Sequence, residues 1–136
     1  MLETDKAWFA GIIDGEGCIS IFKRGPDFTP SVKIANTNEL LINKCKQVLE
    51  EAEIGYYIRY SDRGERSNSK PAWELIMESR PRVIATLNLI LPYLVSKREQ
   101  AKLVLDWCSQ DKRKKDDTLE NFIPNIRLLN QRGRVR

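Results

Sequence analysis

The sequence predicts an α+β fold. The expected order is αββαββα, with a four-stranded antiparallel sheet, helices on one face, and a C-terminal helix or tail. Three observations predict it. Alternating residues occur in pairs of blocks separated by turn residues. Helical spacing fills the gaps between the pairs, so a helix–strand–strand unit occurs twice. One side of the alternating blocks is largely polar and partly basic, and no element remains to cover it. With 136 residues the chain suits one domain with a real core, over 1–110. Residues 111–136 form a basic extension, expected to pack on the same domain.

Each element has its own signal. Thr4 or Asp5 can cap a helix over Lys6 to Ile13 or Asp14, and Gly15 stands where a left-handed residue would end it. Cys18 to Arg24 alternate, with Ile19 and Ile21 on one side and Cys18, Ser20, Phe22 and Arg24 on the other. Gly25-Pro26-Asp27 is a turn, and Thr29 to Ala35 alternate again, which makes a hairpin. Asn36 and Glu39 have capping-box spacing for a second helix, with Leu40, Leu41, Ile42, Cys45, Val48 and Leu49 as its apolar face. Tyr56 to Asp62 and Ala72 to Met77 supply the second strand pair across a polar loop at 63–70. A third helix starts near Ser79 with Pro81 in its first turn, and Pro92 breaks it. A fourth runs from Ser96 to Cys108, and Thr118 to Asn130 has the spacing of a last one. Trp8, Trp73 and Trp107 are expected in the core, as are the cysteines.

Composition removes several chemistries. The chain has no histidine, which excludes a His base, a Ser-His-Asp triad and a His-held zinc. Cys18, Cys45 and Cys108 are scattered and odd in number, so neither a disulfide framework nor a thiolate metal site is expected. A metal here must be a hard ion such as Mg²⁺ on carboxylates and carbonyls. No run approaches the length needed to span a bilayer, and the acidic first turn does not resemble a signal peptide, so no membrane association and an intracellular, reducing setting are expected. Cytoplasm and organelle are not distinguished. The net charge is +4, and the segment 112–136 holds eight Lys/Arg against three acids, leaving the body near neutral. A basic end on a neutral body suits a polyanionic partner.

The stretch Phe9-Ala10-Gly11-Ile12-Ile13-Asp14-Gly15-Glu16-Gly17 carries the chemistry. Ala7, Ala10, Gly11 and Asp14 share one helical face, three of them tiny, so a second helix backbone can approach closely. Trp8, Phe9, Ile12 and Ile13 are expected to anchor the helix in its own core. Glu16, the Gly15 carbonyl and Asp14 gather at the C-terminus, where the macrodipole favours a cation. Pairing two such helices brings two carboxylate sets together, about what phosphodiester hydrolysis with metals requires.

This stretch, followed by Cys18-Ile19, resembles the motif of the LAGLIDADG homing endonucleases. The segment Leu91-Pro92-Tyr93-Leu94-Val95-Ser96-Lys97-Arg98-Glu99-Gln100-Ala101 resembles a second family stretch at the right distance. Together they cover most of residues 5–108. The resemblance implies a site-specific double-strand DNA endonuclease with short 3′ overhangs, encoded within an intron. It places the metal-binding acid at Glu16, where the family's nominal residue is Asp, and the basic active-site residue at Lys97. By itself Lys97 is an ordinary surface lysine. A further polar residue near the end of the second strand falls at Ile34 by direct register, or at Asn36 two residues on. One motif copy implies a homodimer on a pseudo-palindromic site. The uncovered sheet face would then lie in the major groove. Arg24, Arg59 and Arg63 are candidates for guanine, with Ser20, Ser31, Lys33, Ser61 and Glu74 as further contacts and Phe22 against a thymine methyl or packed. Two rivals use the same residues otherwise: a cleavage-inactive intron maturase or DNA-binding protein on this fold, and an RNA-binding module working through its basic tail.

Overall fold

The computed structural model describes residues 1–62 and 70–110. Its elements are α1 (Glu3–Glu16), β1 (Gly17–Arg24), β2 (Asp27–Asn36), α2 (Glu39–Glu51), β3 (Tyr57–Ser61), β4 (Ala72–Glu78), α3 (Arg80–Ile90), a 3₁₀ turn at Leu91–Tyr93, and α4 (Arg98–Cys108). The four strands form one antiparallel sheet in the order β1-β2-β4-β3. Each hairpin is as the alternation predicts, and β2 and β4 join the two at the centre.

Register decides the faces. Ile19 stands beside Val32 and Met77, and Ile34 beside Leu75 and Ile58. This face packs with Phe9 and Ile13 of α1, Ile42 and Leu49 of α2, Val83 and Leu87 of α3, and Val104 and Trp107 of α4. All four helices thus share one side, and burial of these side chains is the main source of stability. Trp107 is buried, whereas Trp8 and Trp73 are only partly so. Arg80 lies 4.2 Å over the Trp107 ring and donates to the carbonyls of Cys108 and Gln110 at 3.0 and 3.1 Å, closing the end of α4.

Several boundaries differ from expectation for local reasons. Helix α1 runs through Gly15 and stops at Gly17, which is extended at φ −85°. A Cβ at Gly17 would stand 2.8 Å from the Ile13 carbonyl oxygen, so close approach selects that glycine. Gly25, at φ +60°, supplies the first position of the two-residue hairpin turn. Asn36 belongs to β2, and Asn38 is the cap of α2, accepting from the Leu40 N–H at 3.0 Å. Leu40, in the first turn of α2, is 79% exposed rather than in the core. Cys18 is exposed too, because β1 alternation turns it to the open face, while Cys45 and Cys108 are buried. The helix expected over 118–130, Arg63 and the run Lys112–Lys115 lie outside the described residues.

Candidate functional site

The site is built at the point where α1 becomes β1. Glu16 is the last residue of α1 and is exposed. Asn36, at the end of the neighbouring β2, donates from Nδ2 to the Glu16 carboxylate. Asn36 is itself held by the Asn38 N–H, which donates to its Oδ1 at 2.7 Å. The side-chain amide is therefore orientated by the start of α2 and points its donor at the acid. Residue patterning placed Asn36 in a helix cap, and the family resemblance offered it, with Ile34, as one of two options for a polar strand-end residue. Ile34 is fully buried in the core, so Asn36 is the residue beside Glu16.

Asp14 has a different task. Its Oδ2 accepts from the Val95 N–H at 2.8 Å, and its Oδ1 from the Lys97 N–H at 3.0 Å and the Ser96 hydroxyl at 3.2 Å. These donors precede α4, so Asp14 ties the end of α1 to the start of α4 across 83 residues of sequence. Its carboxylate faces that junction, and both its oxygens accept hydrogen bonds there. Lys97 Nζ donates to the Asp14 carbonyl oxygen at 2.6 Å. The ammonium thus sits on a carbonyl in the last turn of α1, the favoured end for a cation. Ser96 and Val95 are the partners that sequence reasoning missed; the Val95 backbone donor leaves no trace in side-chain chemistry, and the Ser96 hydroxyl meets Asp14 only through the fold.

The seam of α1 is also rotated from expectation. Ala10 is fully buried in the protomer's own core, with Phe9 and Ile13. Ala7, Gly11 and Gly15 are exposed and follow one another at spacing i, i+4, i+8, flanked by half-buried Trp8 and Ile12. A Cβ built at Gly11 or Gly15 meets nothing within 4 Å. The small face that remains open therefore runs Ala7-Gly11-Gly15 and leads directly to Glu16.

Burial pushes the Cys45 thiol up to about 12, and the nearby Glu16 charge adds to the shift. Cys45 of α2 thus lies on the inner side of the site, inert as a nucleophile. The donors gathered here are hard oxygens: the Glu16 carboxylate and the Gly15 carbonyl in the last turn of α1. That chemistry fits a hard divalent cation. Among the described residues no three Asp, Glu, Cys or His side chains cluster closely enough to hold one within a single protomer.

The sheet face away from the helices lies next to this site. Cross-strand rows place Cys18, Lys33, Ile76 and Tyr57 together, then Ser20, Ser31 and Glu78, then Arg59 with Glu74. Arg24 is 3.2 Å from Glu78 and 5.2 Å above the Phe22 ring, and Arg59 donates to Glu74 at 2.8 and 3.0 Å. Ser20, Phe22 and Ser61 are half-buried, as is Lys33. Ser31 is only 2% exposed, because two strands flank it, and has little surface for an outside partner. Ile76 and Glu78 belong to this face and were not anticipated on it.

The LAGLIDADG-like domain pattern matches residues 3–89. The chain belongs to the LAGLIDADG-like family. Solved LAGLIDADG-type structures share its fold. The homing endonuclease I-CvuI, in complexes with DNA targets, superposes with TM-scores of 0.69 and 0.71 at 24% identity, covering 93% of this chain and 82–83% of that one. The meganuclease I-AabMI, bound to uncleaved DNA, gives a TM-score of 0.54 at 19% identity, with 93% and 40% covered. An uncharacterized protein of Methanocaldococcus jannaschii is 38% identical over 63 residues. That match spans 46% of this LAGLIDADG-like chain and about a quarter of the relative. No described helix is long and apolar enough to cross a membrane.

Proposed function

We propose that this LAGLIDADG-like protein is a homodimeric, site-specific endonuclease that hydrolyses both strands of a long pseudo-palindromic DNA duplex with Mg²⁺ or a similar hard cation. The observation that carries this reading is the position of Glu16: exposed, at the end of a helix with an open small-residue seam, bonded by Asn36, and beside an uncovered polar sheet face. Family membership supports it, as do DNA complexes of proteins with the same fold.

Two copies joined along Ala7, Gly11 and Gly15 would bring two Glu16 carboxylates and two Gly15 carbonyls to the two-fold axis. Glu16 and the Gly15 carbonyl would hold the cation, which when bound supplies a Lewis acid and lowers the pKa of water. Asn36 fixes the carboxylate's direction. Lys97, on a carbonyl in the last turn of α1, places positive charge where a scissile phosphate accumulates negative charge. The domain over 1–110 carries these parts, and the basic segment 111–136 adds charge toward the polyanion.

Selection of cleaved sequences from a randomised duplex library with Mg²⁺ tests the reading. Recovery of a pseudo-palindrome supports it. Glu16→Gln should then keep duplex affinity and lose cutting by at least about 100-fold, the scale of losing a key electrostatic group. Normal cutting by Glu16→Gln overturns the site assignment. Sequence-specific binding by the wild type without cutting points to the inactive maturase or binding protein.

A further inference from the structure

The open sheet face carries an unexpected charge balance. A surface that meets a polyanion is usually rich in unpaired cations. Here two candidate base-reading arginines are each bound to a carboxylate on β4. Arg59 directs both Nε and Nη2 at one oxygen of Glu74, at 3.0 and 2.8 Å, and remains 57% exposed. Arg24, on the other edge strand β1, reaches Glu78 at 3.2 Å on the same face. Burial and the neighbouring Glu78 carboxylate raise the pKa of the Tyr57 hydroxyl on the same face. Glu74 and Glu78 are 28% and 15% exposed, lower in the face than the arginines they hold.

We propose that Glu74 and Glu78 are specificity-determining residues of this face, holding Arg59 and Arg24 away from phosphates and so weakening binding to non-cognate duplex. The proposal rests on the DNA-binding reading above. The physics is a competition. A lone phosphate approaching Arg59 also approaches Glu74, and like-charge repulsion opposes the exchange. A guanine edge presents two neutral acceptors instead. Arg59 can offer its remaining N–H groups to that edge while it keeps Glu74. The acids therefore tax contacts with the backbone and spare contacts with the correct base. Discrimination between partners arises here from a built-in repulsive element.

The test compares wild type, Glu74→Gln and Glu78→Gln on two probes, the duplex recovered by cleavage selection and a random-sequence duplex pool, over a salt series. Each variant should bind the random pool about 5-fold more tightly, with the log–log salt slope steeper by about 1, the signature of one more phosphate contact. Affinity for the selected duplex should change less than about 2-fold, so the specificity ratio falls. The gain from Glu74→Gln should vanish in an Arg59→Met background, because the acid acts through that arginine. Unchanged random-pool affinity and slope in both variants, with wild type still preferring the selected duplex, overturns the proposal and leaves the DNA-binding reading intact. Persistence of the gain in the Arg59→Met background also overturns it. Wild type that binds neither probe overturns both.

Discussion

One carboxylate, Asp14, accepts two backbone N–H groups and a hydroxyl from the segment before α4. Removing it strands the donors of Val95 and Lys97 at a helix start. Asp14→Ala is expected to cost about 2–3 kcal/mol, in the range of charged hydrogen bonds and helix caps, read as a lowered urea midpoint. Cys45 makes a second residue-scale prediction. Its folded pKa of about 12 exceeds the ordinary thiol value of 9.0. The unfolded chain therefore loses this proton first as pH rises. The thiol's contribution to stability is whole below about pH 9 and is lost as pH climbs toward about 12. Urea midpoints taken between about pH 8 and about pH 10 should fall less steeply for Cys45→Ala than for wild type. Asn36 shows how much of the site was legible at this scale. Its type suggested a polar role, but only the strand register and the Asn38 N–H show that it serves Glu16.

At the scale of elements, the end of α1 depends on a steric fit. Gly17 passes so close to Ile13 that an added methyl would meet backbone atoms at 2.8 and 2.9 Å. Gly17→Ala should therefore destabilise the fold by about 1–3 kcal/mol, the usual range for overpacking, measured by denaturant unfolding. Strand alternation was readable because the helices cover one face of the sheet only. Ile19, Val32 and Ile34 all lie where period two puts them. Helix rotation was harder. Ala10 and Gly11 are both small, and composition gives no reason to bury one rather than the other. Packing in the protomer's core cluster selects Ala10, and this leaves Ala7, Gly11 and Gly15 on the open face.

For the whole molecule, that seam is the proposed meeting point of two copies. Gly11 has nothing within 4 Å of a built Cβ, so Gly11→Leu should leave the protomer's unfolding midpoint within about 0.5 kcal/mol, as surface changes do. The same change should break the dimer. Ultracentrifugation with cognate duplex is expected to find dimers for wild type and single protomers for Gly11→Leu. Dimers in both would place the interface elsewhere.

The sequence by itself determined the order of elements, the covered sheet face and the resemblance to the family. These follow from residue type and spacing, which act locally along the chain. The tertiary structure decided which small residue of α1 stays outside, which polar side chain reaches Glu16, and which acids hold the arginines. Those outcomes depend on distances between segments up to 83 residues apart, and no local pattern encodes them.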